Sequence, residues 1–228
     1  NSGICSDVSL HLSKEKCEHV LDYFSKKHFY DSHTPIVHNK KNYNQKASGA
    51  YMSYDLNTQL NCKPILELCL NEKIIKTAQQ YLDCPPILFS INTFKTLPNQ
   101  KAFTHNFHRD LDDFLWLTVF VYWTDTTELD GSFEQIQCTH RKTKLTESVI
   151  EKNFKGLDYD KFYNRTLGYN NFSYEEYIDI FEKENVCNIS GNRGKVVFVD
   201  TAGLHRGTTV KKERLVTWLR YGITGSRQ

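Results

Sequence analysis

A double proline at residues 85–86 divides this chain of 228 residues into two stretches of different texture. Proline lacks the backbone N–H and fixes φ, so neither a helix interior nor a central strand continues through such a pair. Before it, "SKEKCEHVLDYFSKK" places Cys17, Val20, Leu21 and Phe24 at i, i+3, i+4 and i+7. That is the stripe of an amphipathic helix, with Ser13 as its N-cap. A second helix is expected from Pro64, in its first turn, through "ILELCLNEKIIKTAQQYLD". After the prolines, five segments are rich in β-branched and aromatic residues: 87–96, 114–123, 132–137, 195–201 and 214–223. Several alternate in polarity, and turn residues separate them. Helices first and strands later argue against a βαβ repeat. They favour a mainly β fold with α, an antiparallel sheet pair or barrel backed by N-terminal helices.

Composition narrows the function. Apolar residues make up 39% and aromatic residues 13%, enough for a core, in one domain or two small ones. A net charge of +2 sets up no strong field toward nucleic acid or a membrane. The clusters "HRKTK" and "VKKER" read as solvated faces. No apolar run approaches a membrane span of roughly 18 residues, and no signal peptide is visible at the N-terminus. Seven cysteines with no CxxC pair fit reduced thiols in a cytoplasmic protein better than a disulfide framework.

Residues 141–190 separate two groups of strands. The segment is polar but studded with Tyr and Phe, and "YEEYIDIFEKE" has the look of a short helix. It is longer than a connector requires. Two readings stay open, a lid or binding insert and a helical layer packed outside the barrel.

The stretch "FHRDLDDF", 107–114, invites two chemistries. His-Arg-Asp opens the catalytic loop of protein kinases, but that loop needs an Asn five residues after its Asp, and position 115 is Leu. No glycine-rich loop or Asp-Phe-Gly accompanies it. The other reading is a metal site. On an extended segment His108 and Asp110 share one face, roughly 7 Å apart along the strand, and reach one ion. Imidazole nitrogen and carboxylate oxygen suit Fe(II), and one further His completes a 2-His-1-carboxylate triad. His205, in "GKVVFVDTAGLHRG", is the candidate, 97 residues after His108. Arg214, nine residues later, opens the last strand, where a planar guanidinium is suited to grip a dicarboxylate.

HxD, a distal His and an Arg about ten residues on resemble the Fe(II)/2-oxoglutarate oxygenases. The details are most similar to their phytanoyl-CoA dioxygenase-like branch: Trp123, Gly131, "CTHR" (138–141), an insert, then "RGKVVFVDTAGLHR". The likeness covers 87–223. Lys195 stands where that branch often has Asp, and "CTH" replaces its Gly-Ser-His element.

The resemblance implies a single oxygenase domain over 1–228: a helical part, 1–84, and a double-stranded β-helix of jelly-roll or cupin type, 87–223, carrying the insert 141–190. It implies His108, Asp110 and His205 as Fe(II) ligands, with Arg214 pairing with the far carboxylate of 2-oxoglutarate. Trp123, Thr118 and Lys95 are candidates for further contacts to that cosubstrate. Arg206 faces either substrate or an acidic neighbour. The implied reaction uses O₂ and 2-oxoglutarate, yields succinate and CO₂, and hydroxylates a small molecule. Halogenating relatives lack the carboxylate that Asp110 supplies. Two alternatives remain: a β-barrel binding module without turnover, and a cupin-like isomerase or lyase that ignores 2-oxoglutarate. The acids of "LDD" (111–113) could draw a cationic substrate or sit in a solvated loop.

Overall fold

The computed structural model describes residues 2–6, 10–32, 37–38, 50–141, 175, 181 and 183–224. Strand β1 (Ile4–Ser6) precedes helix α1 (Lys14–Ser25), which is followed by strands β2 (Phe29–Asp31), β3 (Val37–His38) and β4 (Tyr51–Ser53). Helices α2 (Leu56–Leu60), α3 (Lys63–Cys69) and α4 (Glu72–Leu82) come next. The remainder is β: β5 (Ile87–Thr96), β6 (Trp116–Tyr122), β7 (Phe133–Ile136), β8 (Val186–Ile189), β9 (Val196–Val199), β10 (His205–Gly207) and β11 (Arg214–Gly222). No helix among the described residues is long and apolar enough to cross a membrane.

Ser13 caps α1 by accepting from the Lys16 N–H at 3.3 Å, and Cys17, Val20 and Phe24 bury the predicted stripe. The second expected helix is two. Asn71 interrupts it, its side chain accepting from the N–H groups of Lys73 and Ile74. A short amide bonds the first free N–H groups of a new turn better than it tolerates a helix interior.

The larger sheet runs β1-β9-β6-β11-β5-β4-β2-β3, and the smaller runs β10-β7-β8, with every neighbouring pair antiparallel. The two sheets meet through Phe94, Phe120, Tyr122, Val197 and Val216 on one side and Phe133 and Ile189 on the other. Phe120 and Phe133 lie 5.0 Å apart, ring to ring.

Strand alternation explains which residues meet there. Along β6, Leu117, Val119 and Val121, and Trp123 just beyond it, pack with α1, α3 and α4 in the main core. Phe120 and Tyr122 face the small sheet. β6 is buried on both faces, which is why it reads as an apolar run interrupted only by Thr118. On β11, Leu215, Leu219 and Tyr221 join the helical side, while Arg214, Val216, Trp218 and Arg220 line the space between the sheets.

The insert is shorter than the sequence suggests at its C-terminal end. Residues 186–189 are not part of a lid but pair with β7 as the edge of the small sheet. The expected short helix and most of the aromatic segment lie outside the described residues.

Candidate metal centre

"NFHRD" does not form a regular strand. A single 3-10 turn, Phe103–His105, leads into extended backbone stitched to the segment before β10. His108 and His205 exchange both backbone hydrogen bonds, at 2.9 Å each, and the Asp110 N–H donates to the Thr201 carbonyl at 3.0 Å. These three bonds bring residues 97 positions apart into register. The i, i+2 spacing then turns His108 and Asp110 to one side.

The result is a cluster in which His108, Asp110 and His205, all buried, offer ligand atoms within 4.8 Å of one another. The two imidazole rings lie 4.3 Å apart, centroid to centroid. His205 Nε2 is 3.7 Å from Asp110 Oδ2. Each ring also has a backbone carbonyl 2.9 Å from its Nδ1, that of Asn106 for His108 and that of Gly203 for His205. A carbonyl only accepts, so Nδ1 carries the proton and the Nε2 lone pair is left for a metal. Burial, with His108 beside it, pushes the His205 imidazole down to about 4 and keeps it a neutral ligand. Burial alone would raise the Asp110 carboxyl, but Arg220 and the two imidazoles hold it below the usual carboxylate range. Two imidazole nitrogens and one carboxylate make a donor set that fits Fe(II).

The loop before His205 is braced from four directions. Tyr81 of α4 donates to the Asp200 carboxylate, Arg109 to the Ala202 carbonyl, and Gln135 of β7 to the Asp200 carbonyl at 2.9 Å. The Thr139 hydroxyl accepts the Leu204 N–H at 2.8 Å. The His205 ring stacks on Phe133, 5.3 Å away and 19° from parallel.

The triad opens into a cavity of about 280 Å³ between the sheets. Arg214 lines it, 7% exposed, with Nη1 donating to the Gly131 carbonyl and Nη2 to Thr96 Oγ1 at 3.1 Å. Gly131 sits at φ +76°, and a Cβ there would come within 2.6 Å of Val210 and 3.1 Å of Arg214 Cδ. Glycine is therefore what lets the arginine stem pass. Among the described residues, Arg214 Nε is buried without an acceptor, as are Arg220 Nε and Trp218 Nε1. Three donor groups from one face of β11 thus lack partners, and a buried donor left so costs about 1–3 kcal/mol. A ligand rich in acceptors relieves it.

Other sequence-derived candidates stand elsewhere. Trp123 is fully buried in the helical core, its Nε1 donating to Thr217 Oγ1 at 2.7 Å. One residue past the inward-facing Tyr122, it has the opposite parity and does not reach the cavity. Trp123→Ala should cost about 3–5 kcal/mol of stability, read from the urea midpoint, rather than act on cosubstrate affinity. Lys95 has the same parity: it lies opposite Leu215, pairs with Glu213 at 3.1 Å and covers the Phe29 ring. Its neighbours Phe94 and Thr96 are the ones turned inward, Phe94 lining the cavity and Thr96 holding Arg214. Thr118 is nearer the centre but bonds Thr201 Oγ1 at 3.0 Å, and the Thr201 hydroxyl helps to hold the Asp110 carboxyl down. It is one link behind the carboxylate, not on the cavity wall. Arg206 faces the acidic neighbour, bonding Glu134 Oε2 at 2.6 Å.

Arg220 was not anticipated. It donates to Asp110 Oδ2 at 2.7 Å and to Asp112, and lies 3.8 Å over the Trp218 ring. Its signal was available: it is six residues from Arg214, an even number along one strand, and so on the same face. The acids of "LDD" are not solvated. Asp112 lines the cavity beside Arg220, and Asp113 accepts from the N–H groups of Ile223 and Thr224.

His105, next to the cavity wall, accepts the Ala102 N–H on Nδ1 and meets the Tyr51 ring edge-on. Burial, with Arg214 nearby, pushes it down to about 4. The unfolded chain takes up a proton near pH 6.5 that the folded chain resists, so this group lowers stability as pH falls from 6.5 to 4. Stability lost between pH 7 and pH 5, measured by urea unfolding, should be smaller in His105→Gln than in the wild type. An equal loss in both would contradict the assignment.

Comparison with family models and with curated proteins finds no match. Solved structures do match. HygX from Streptomyces hygroscopicus, with nickel and 2-oxoglutarate bound, aligns with a TM-score of 0.62 at 15% identity, over 98% of this chain and 84% of its own. SnoN, a non-heme α-ketoglutarate-dependent epimerase from nogalamycin biosynthesis, aligns with a TM-score of 0.58 at 13% identity, over 96% and 77%. AviO1 from Streptomyces viridochromogenes Tue57 aligns with a TM-score of 0.55 at 11% identity, over 100% and 92%. At these identities the likeness is one of fold, and the fold this chain shares is one that holds 2-oxoglutarate-dependent enzymes.

Proposed function

We propose that this protein is an Fe(II)- and 2-oxoglutarate-dependent oxygenase of the phytanoyl-CoA dioxygenase-like kind, built on a double-stranded β-helix, that hydroxylates a small molecule. One observation carries the reading: two imidazole nitrogens and a carboxylate oxygen converge within 4.8 Å in a cavity that also contains a buried arginine with an unfilled donor. His108, Asp110 and His205 would hold the iron. Bound iron supplies the activation of O₂ that couples decarboxylation of 2-oxoglutarate, to succinate and CO₂, with oxidation of a substrate C–H bond.

This chain's residues supply the rest. Arg214 pairs with the far carboxylate of 2-oxoglutarate and orients its keto-acid end toward the triad. Phe94, Phe120, Tyr122, Phe133 and Val216 wall that end of the cavity with apolar surface, which excludes water and strengthens the ion pair. The Asn106 and Gly203 carbonyls hold both imidazoles in the ligand tautomer.

HygX has been seen with hygromycin B, and SnoN with nogalamycin RO and α-ketoglutarate. These support a small-molecule substrate here. SnoN is an epimerase and SnoK a carbocyclase, and product analysis distinguishes hydroxylation from these other fates of an oxidised carbon. Adding Fe(II) and 2-oxoglutarate without air should produce a weak visible charge-transfer band. Succinate release across a substrate panel, with mass analysis for an added oxygen, then tests hydroxylation. A metal-loaded protein that shows no band and never releases succinate would favour the cupin-like isomerase or binding-module reading.

A further inference from the structure

We propose that Arg220 sets how many positions the metal keeps open, by restricting Asp110 to one coordinating oxygen. The inference rests on the metal reading above and adds a positioning residue to it.

The guanidinium is a rigid planar fork. Nη2 donates to Asp110 Oδ2 at 2.7 Å, and Nη1 donates to Asp112. The plane lies against the Trp218 ring, two residues back on the same strand, at 3.8 Å. Fork, stacked ring and second carboxylate together fix where the Asp110 bond is made. The atom held, Oδ2, is also the one facing His205 Nε2, at 3.7 Å. With Oδ2 held by Arg220, turning the carboxylate about its Cβ–Cγ bond to present both oxygens equally to one ion would break that bond.

The placement of a buried cation here is informative. Arg220 is 7% exposed and adjoins a site meant for a divalent ion, which it repels. If metal affinity were all that the position served, a neutral donor would serve better. A carboxylate held to one oxygen leaves about three of six octahedral positions open, the number needed for a chelating keto acid and O₂. A carboxylate free to chelate leaves about two.

The two roles available to Arg220 predict opposite results. Mn(II) is the probe, its affinity and its exchangeable waters read together by water-proton relaxation. As a positioning residue, Arg220→Gln binds Mn(II) at least as tightly as the wild type but with about two inner-sphere waters instead of about three. Its Kd for 2-oxoglutarate, in the presence of Mn(II), rises about tenfold or more. Arg220→Lys keeps the charge but reaches one carboxylate, so its water count lies between. Asp112→Asn, at a partly exposed position, loosens the fork and shifts both readouts in the same direction by less. If Arg220 only tethers the loop, Arg220→Gln binds Mn(II) more weakly with the water count unchanged, and the proposal is overturned. Should Arg220→Gln not fold, the Lys and Asp112→Asn variants decide: three waters in both overturns it. A wild type that binds no Mn(II) removes the metal reading itself, whereas a wild type that binds and variants that match it remove this inference alone.

Discussion

His108→Ala should lose metal binding by more than about a hundred-fold, because removal of a direct ligand exceeds the 10- to 100-fold cost of losing an outer partner. The imidazole is one of three donors in the cluster, and nothing adjacent replaces it. His105, three residues earlier, turns its Nδ1 to Ala102 and its ring to Tyr51. The deletion leaves the fold standing, since the backbone bonds between His108 and His205 use N–H and C=O groups that alanine keeps. Anaerobic calorimetry with Fe(II) reads the affinity, and circular dichroism confirms the fold. The visible band with 2-oxoglutarate should vanish in the same variant. Undiminished binding would remove residue 108 from the metal site and the proposed function with it.

Arg214→Leu should have the second largest effect, and a different signature. Truncating one partner of a buried, hydrogen-bonded charge pair costs about 2–5 kcal/mol. At about 1.4 kcal/mol per decade, that raises the Kd for 2-oxoglutarate from some thirty-fold to several thousand-fold. Mn(II) affinity measured without 2-oxoglutarate should stay close to wild type, because Arg214 donates to Gly131 and Thr96 and to none of the triad. Some stability is lost as well, since the Gly131 carbonyl is left without that donor. Equal weakening toward the metal and the cosubstrate would mean a collapsed cavity instead of a lost ion pair.

The distribution of right and wrong expectations follows side-chain parity. The first helix and the strands β5, β6, β7, β9 and β11 were legible because apolar spacing is a local property; the six other strands among the described residues, each only two to four residues long, were not. Residues 87–96 match β5 end to end. His108 and Asp110 were legible as a pair for the same reason: two residues apart on extended chain share a side. Trp123 and Lys95 failed because they were chosen by residue type and proximity in sequence. Each sits one position from a residue that does face the cavity, Tyr122 and Phe94, and one position on a strand reverses the side. β6 offered no polar alternation to reveal this, being buried on both faces and apolar apart from Thr118. The single helix expected from Pro64 failed because Asn71 was counted as a helix interior residue when its amide serves better as a cap.

Arg220 and Asp112 show what a local reading omits. Both were visible as charges, but their significance lies in meeting each other and Asp110 across about 108 residues of chain, a contact made by the β11 register and the loop before β6.

By itself the sequence determined the periodicities: which stretches are helix, which are strand, and which neighbouring side chains share a face. These follow from 3.6- and 2-residue repeats and need no partner. Only the tertiary structure decided which face looks inward, that His205 closes on His108 and Asp110, and that a second arginine grips Asp110. Such choices depend on non-local backbone pairing and on the helices that cover one side of the large sheet, neither of which is written in any short window of residues.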